Sequence, residues 1–417
     1  MKKVYSCVDI GSDSIKIVVS ELLDDKLNIL SSVIYPTSSV KKGIIISDNE
    51  FYEDLKNAFK EINNSLGVKI DKAIVNVPIY DAEYKFVDGE TVVKGKDHLV
   101  TGDDMVRVLE NSIKGNIEKD KELVTIMPIK YIVDGNETVV VPEPRGLRCE
   151  KLKVYAMLVK VPTKNIIKIV TFLEKLNIDV IDILFGAIGD YYELKEDFFD
   201  KEVVGVINIG SDKTELSIFN NGIITNSTIL QLGSKDIDDD LSYVFNIKSK
   251  QGKMIKEMFA LGHKDYASTS EVYELKNKSL IKTKINQFEA SEIVMTRLKE
   301  ILEKSKKELN NLTKKEIRYI IVTGGITNIP GFDILAKEVL NEKLCLKQIK
   351  TLGIRDNSYS SSIGMIRYFI NKLKIRGKEY SMFNEENEIE LIENKGNLSS
   401  ESLFEKMFDY LSRNKED

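Results

Sequence analysis

One pattern occurs twice and constrains the fold more than any other: an apolar strand, a Gly-Ser-Asp turn and a second apolar strand. It opens the chain as VYSCVDIGSDSIKIVVS (Val4–Ser20) and returns as VVGVINIGSDKTELSIF from Val203. Gly11-Ser12-Asp13 thus reappears as Gly210-Ser211-Asp212, about half of the 417-residue chain later. Self-similarity at that distance predicts two related halves, and the β-branched runs on either side of each turn predict strands. A glycine turn between strands presents several backbone N–H groups in a small arc that binds phosphate oxygens, because glycine lets the main chain approach closely. Two such turns facing each other would hold a nucleotide tail from both sides. Asp9 stands just before the first turn, where a carboxylate can hold a hydrated Mg²⁺. Gly324 and Gly325 close a third apolar strand (Ile317–Gly325) before a helix, the place where α/β folds usually bind ligands.

The sequence around the turns alternates strands and helices. LNILSSVIY reads as a strand, Asn49–Leu66 as a helix with apolar residues at helical spacing, and Ala73–Tyr80 as a buried strand. Residues 81–161 break this rhythm with a helix over Asp103–Ile113 and strands over Leu123–Val133 and Leu152–Val159, which predicts a separate small α+β module. The α/β rhythm returns with a helix from Thr163 to Leu176, the strand VIDIL and a helical stretch to Leu194. Charged, helical sequence is expected throughout Asp236–Leu312. Helices over Phe332–Leu340 and Ser360–Leu373 close the folded part, and the polar, Asn-rich stretch 377–400 reads as a disordered linker.

Composition removes several classes. Sixty-six acidic against 61 basic residues leave no excess positive charge for general nucleic-acid binding. The two histidines, His98 and His263, are too few for a multi-histidine metal site. Cys7, Cys149 and Cys345 are odd in number and far apart, so no disulfide framework is implied. The start MKKVYSCVDIG has no apolar core of signal-peptide length, and no run of apolar residues spans a bilayer. The expected compartment is the cytoplasm, with any membrane contact peripheral.

The ordered set DIGSDSIK (Asp9–Lys16), GVINIGSDKTELSIF (Gly205–Phe219) and TGGITNIPGFDILA (Thr323–Ala336) resembles the actin/Hsp70/sugar-kinase superfamily. Within it the chain is most similar to the FtsA family of bacterial division proteins, through PIKYIVDG and PEPRGLRCEKLKVYAMLV (Pro142–Val159) in the inserted module and SSIGMIRYF (Ser361–Phe369) in the last helix. The resemblance implies a two-lobed α/β fold of the actin-like ATPase type, with duplicated RNase H-like halves, an inserted α+β subdomain and a C-terminal amphipathic helix. The first lobe comprises 1–80, 162–200 and 346–376, with the insert at 81–161. The second lobe comprises 201–235, a helical subdomain at 236–312 and 313–345. It also implies ATP with Mg²⁺ in the cleft. The residues carried over for the nucleotide are Asp9, Gly11, Ser12, Ser14 and Lys16 on the first turn, Gly210, Ser211 and Thr214 on the second, and Gly324 and Gly325 on the adenosine side. Asp9 is the residue for Mg²⁺, through water.

The chain departs from that family at informative positions. Asn208 stands where the second turn usually begins with Asp, removing a charge that helps to hold Mg²⁺. Asp212 adds a carboxylate near the place of a phosphate. Gly252-Lys253 replaces an Ala-Glu pair in the Lys248–Met258 helix. Leu184 is the best match to a water-orienting polar residue, and it can neither accept a proton nor orient water. Binding without efficient hydrolysis is expected, and no catalytic residue is assigned.

The last segment is amphipathic. From Leu403 at 100° per residue, Leu403, Phe404, Met407, Phe408, Tyr410 and Leu411 share one arc, and Glu401, Glu405, Lys406, Asp409 and Arg413 fall outside it. The tail carries more acids than bases, so attraction to anionic lipid is small and affinity must rest on the apolar arc. The family resemblance implies that 401–417 is the membrane-targeting helix. It also implies that the helix over Glu289–Leu309, with Arg297 and Glu300 in an R-x-x-E pattern, receives the C-terminal peptide of the tubulin-like ring protein FtsZ, and that the chain forms filaments with itself. The expected function is an ATP-binding, actin-like adaptor that ties FtsZ to the cytoplasmic face of the membrane at the division site. A small-molecule kinase of the same superfamily and a PilM-like pilus-assembly adaptor are the alternatives.

Overall fold

The computed structural model describes residues 3–135, 140–276, 282–349, 351–377, 379–384 and 387. Its helices are α1 (Asp48–Leu66), α2 (Gly102–Ile113), α3 (Ile167–Lys175), α4 (Gly186–Leu194), α5 (Ser234–Val244), α6 (Ser249–Met258), α7 (Gln287–Leu312), α8 (Phe332–Leu340) and α9 (Ser360–Arg376).

The repeated turn reflects a repeated sheet. In the first lobe, Lys3–Ile10, Ser14–Leu23 and Lys26–Pro36 form an antiparallel meander, and Lys72–Asn76 and then Asp179–Leu184 add in parallel beside Lys3–Ile10. The second lobe has the same order. Val203–Ile209, Thr214–Asn220 and Ile223–Leu230 form the meander, and Tyr319–Thr323 and Leu344–Leu346 add in parallel. The two turns match in register: Asp9 faces Lys16 across the first, and Asn208 faces Glu215 across the second. Of the parallel strands, Lys72–Asn76 and Tyr319–Thr323 are buried through most of their length, which is why they read as near-continuous apolar runs.

α1 packs against the first sheet by burying Phe51, Leu55, Ala58, Phe59, Ile62 and Leu66, and it stops at Gly67, whose φ of 73° suits a left-handed cap. The insert is a four-stranded sheet in the order Glu83–Val92, Lys151–Pro162, Lys121–Val133, Val140–Val141, with α2 on one face. Thr101 caps α2 through a reciprocal box with Asp104.

The lobes meet at the crossing of α4, which also packs on the second-lobe strands Val203–Ile209 and Thr214–Asn220, with α9, which packs on the first-lobe strands Lys3–Ile10 and Ser14–Leu23. A Cβ on Gly364 would stand 1.7 Å from the Gly189 carbonyl oxygen, and one on Gly189 would stand 2.1 Å from that of Ser361. Only glycine permits this approach. Beside the crossing, the Tyr191 ring stacks on Phe219 of the second lobe at 4.1 Å.

Three expectations need correction. The strand expected over Ala73–Tyr80 ends at Asn76, because Pro78 cannot donate to a ladder. The region expected to be helical throughout Asp236–Leu312 contains an antiparallel pair, Val272–Lys276 with Lys282–Asn286. The linker expected over 377–400 is not borne out over 379–384. Residues 379–384 lie on the first lobe, where the Met382 amide donates to the Val4 carbonyl at 2.9 Å, and Met382 and Phe383 are buried. The amphipathic segment 401–417, with Leu403, Phe404, Met407, Phe408 and Leu411, lies outside the described residues. No helix among the described residues is long and apolar enough to cross a membrane.

Candidate functional site

A cavity of about 470 Å³ opens between the lobes. Its walls include Asp9, Gly11, Ser12, Ser14 and Lys16 from the first lobe, and Gly210, Ser211, Gly324 and Gly325 from the second. Both turns close in the same way: Gly11 N–H donates to the Ser14 carbonyl at 2.9 Å, and Gly210 N–H to that of Lys213 at 3.0 Å. The amides of Ser12, Asp13, Ser211 and Asp212 donate to no other group among the described residues. They are the free donors that an anion-binding arc requires. Gly324, at φ 103°, passes so close to the Ile209 carbonyl that a Cβ would stand 2.4 Å from it. Beside Gly325, the buried hydroxyl of Ser358 has no partner, although the residue lines the cavity.

The floor of the first turn is a polar chain. Asn76 accepts from the Ile10 amide at 2.7 Å and donates through Nδ2 to Asp9 Oδ1 at 2.6 Å. Lys16 Nζ lies 3.5 Å from Asp9 Oδ2. Burial alone would depress the Lys16 ammonium, but the Asp9 and Asp13 carboxylates outweigh it and hold the group above its ordinary range. A cation is therefore fixed beside the first turn.

Nine of the ten residues assigned to the nucleotide line the cavity, and Thr214 does not. It is buried, and its hydroxyl donates to the Leu232 carbonyl at 2.8 Å, within the packing of its own lobe. Leu184 is likewise buried in the first-lobe core, away from the cavity. The wall there is Gly186, which has no side chain to orient water.

Asn208 lines the cavity, and behind it lies a carboxylate that the sequence reading missed. Asp190 of α4 is fully buried. It accepts from Asn208 Nδ2 at 2.6 Å, Ser360 Oγ at 2.5 Å and Ser361 Oγ at 2.9 Å. Burial pushes its carboxyl up to about 7, against the three hydrogen bonds that favour the charged form. The signal was a lone acid in the otherwise small and apolar run Gly-Ala-Ile-Gly-Asp. Lys213, Lys253 and Asp13 also line the cavity and were not assigned.

The expected peptide contact lies on the second lobe. Arg297 holds Asp240 of α5 with two bonds, Nε to Oδ2 at 2.7 Å and Nη2 to Oδ1 at 2.9 Å, and reaches Glu300 through Nη1 at 2.5 Å. Lys304 also binds Glu300, at 2.6 Å. The cluster is a mixed-charge surface spanning two helices, and Asp240 was not foreseen.

The family model described as "Cell division protein FtsA" matches residues 205–364, and that for the "SHS2 domain inserted in FTSA" matches residues 82–160. The chain belongs to the FtsA family of cell division proteins. It is 26% identical over 384 residues to the cell division protein FtsA of Bacillus subtilis (strain 168), covering 90% of this chain and 86% of the relative. It is 22% identical to that of Enterococcus hirae, covering 88% and 83%. Among solved structures, MreB5 of Spiroplasma citri bound to ADP superposes with a TM-score of 0.55 at 12% identity, over 89% of this chain and 98% of that one. The PilM-PilN type IV pilus biogenesis complex gives 0.56 at 12% identity, over 87% and 98%. These likenesses establish the actin-like α/β fold expected from the sequence, with its inserted subdomain. Family membership separates the chain from the small-molecule kinases and from the pilus-assembly adaptors.

Proposed function

We propose that this FtsA-family chain is an adaptor that holds FtsZ filaments at the cytoplasmic face of the membrane, binds ATP with Mg²⁺ between its lobes and assembles into filaments. Its place in a family of cell division proteins carries this reading, and the paired turns with free amides support the nucleotide part. In the cleft, Ser12 and Asp13 amides would meet phosphate oxygens from one side, and Ser211 and Asp212 amides from the other. Lys16 would supply the fixed cation, and Gly324 and Gly325 leave room for the adenosine. Mg²⁺, when bound, would neutralise phosphate charge, and Asp9 would be the residue to hold its waters.

Turnover would be slow. The wall at Gly186 carries no base, and Asp190 is spent on Asn208, Ser360 and Ser361. On the second lobe, Arg297 and Glu300, braced by Asp240 and Lys304, form a surface with both charges, which suits a short peptide carrying both. The segment 401–417 would lie in the bilayer interface through Leu403, Phe404, Met407, Phe408 and Leu411. One such helix binds weakly, and a filament multiplies it.

Fluorescence anisotropy with a labelled FtsZ C-terminal peptide tests the partner. Arg297→Ala should lower affinity, and unchanged affinity would remove Arg297 from the contact. Arg297→Glu is a poorer probe, since it would set a third carboxylate beside Asp240 and Glu300. Calorimetry with Mg·ATP tests the cleft, where the absence of heat of binding both to the intact chain and to its Asp13→Asn variant would overturn the nucleotide reading.

A further inference from the structure

Asp13 sits inside the first turn and is held from both lobes. Its Oδ2 lies 3.2 Å from Nζ of Lys253, which projects from α6 across the cleft, and its Oδ1 accepts from Ser14 Oγ at 3.2 Å. Where a Cβ on Gly11 would be, Asp13 Oδ1 lies 4.0 Å away and Lys16 Nζ 3.8 Å away. One carboxylate therefore lies at the mouth of the arc, between a first-lobe lysine and a second-lobe lysine. The positive field acts on it: the Lys16 and Lys253 ammoniums hold Asp13 below the usual carboxylate range, although burial pulls the other way.

The neighbouring cations are not interchangeable. Lys256 on the same helix is buried, bound to Asp238 at 2.7 Å and to the Ser234 carbonyl at 3.1 Å. Lys213 is paired with Glu215 at 2.6 Å. Lys253 is about half exposed, lies 3.9 Å from Glu257 as well, and feels the Asp238 carboxylate at longer range. A lysine ammonium on a flexible stem can change partner with little rearrangement.

We propose that the Asp13 carboxylate stands in for a phosphoryl group at the first turn, and that Lys253 is the second-lobe ligand which the phosphate of a bound nucleotide takes over from it. Asp13 is then an internal competitor, and Lys253 links the lobes in both states, first through Asp13 and then through phosphate. This rests on the nucleotide reading of the cleft. The polyphosphate must displace or turn aside Asp13, because two anions at that distance repel strongly when partly screened from water.

The test is a double-mutant cycle on the full chain, with Mg·ATP and adenosine as probes and calorimetry as the readout. Asp13→Asn removes the competitor and should tighten Mg·ATP about tenfold. Lys253→Gln should weaken it about tenfold, and by a similar factor when Asp13 is already Asn, because the lysine acts on the phosphate itself. Adenosine, which has no phosphate, should be unaffected by either change. The exposed pair contributes little to stability, so both variants should melt as the wild type does.

If Lys253→Gln loses its effect in the Asp13→Asn background, the lysine only neutralises Asp13 and the proposal fails. If Mg·ATP binds the wild type and all variants equally, the cleft is a nucleotide site and the proposal alone falls. If neither the wild type nor Asp13→Asn binds Mg·ATP, both readings fall. A silent wild type with a binding Asp13→Asn variant supports internal competition directly.

Discussion

At the scale of single residues, the glycines and Asp9 were readable, because turn chemistry is local, whereas Asp13 in the same turn was not assigned. Gly11, Gly210, Gly324 and Gly325 follow from strand–turn patterns, and all four reach the cavity. Asp190 and Lys253 were not readable, because their meaning depends on partners far away in sequence: Ser360 and Ser361 for the first, Asp13 for the second. Thr214 failed for the same reason, since alternation along a strand does not say which face a closing turn presents. Gly11→Val should abolish Mg·ATP binding by placing a branched side chain in the arc, and calorimetry would read the loss.

Asp190 gives a pH test. Its carboxyl is raised to about 7 in the folded chain from an ordinary 3.8, first by burial and then by the Asp9 charge. The native state therefore binds the proton more tightly than the unfolded chain. The contribution of this group to stability is complete below pH 3.8 and is lost as pH rises through 7, at up to about 1.4 kcal/mol per pH unit within that window. Asp190→Asn removes this dependence. In urea unfolding, the wild type should lose stability relative to Asp190→Asn between pH 5.5 and 8, and a constant difference would show that Asp190 is charged throughout.

At the scale of elements, strong periodicity carried the helices: α1, α2, α8 and α9 lie close to where their apolar spacing predicts. The pair Val272–Lys276 and Lys282–Asn286 was missed because its strands alternate exposed charge with little burial, so they resemble a solvated helix face. The crossing of α4 with α9 was also hidden, since small residues in a helix give no periodic signal. Gly364→Ala should destabilise the fold by about 1–3 kcal/mol or more, because the clash is with backbone that cannot swing aside. A urea midpoint shift with unchanged slope would show it. A neutral effect would mean that the two helices separate easily, and that the lobes are not fixed at this crossing.

At the scale of the whole molecule, the duplicated Gly-Ser-Asp turn announced two sheets of one topology, and the break in rhythm after Asp81 announced the insert. The relation between the lobes was not legible, since it is set by α9 returning from the end of the folded chain to α4. Hydrolysis belongs at this scale too, because it requires both lobes to present a base and a phosphate together. Phosphate release should stay far below 1 s⁻¹, the lower end of the ordinary enzyme range of roughly 1–10³ s⁻¹. Turnover within that range would mean that a cavity carboxylate away from the Gly186 wall, such as Glu215 or Glu257, acts as the base.

The adaptor reading depends most on the coupling of FtsZ to a lipid surface, and sedimentation of FtsZ filaments with liposomes measures it directly. With the full chain and Mg·ATP present, FtsZ should move into the lipid pellet. With a chain lacking Ser399–Asp417 it should remain in the supernatant, although that shortened chain still binds the FtsZ peptide. FtsZ that pellets equally well with the shortened chain, or stays in solution with the full one, would contradict the account.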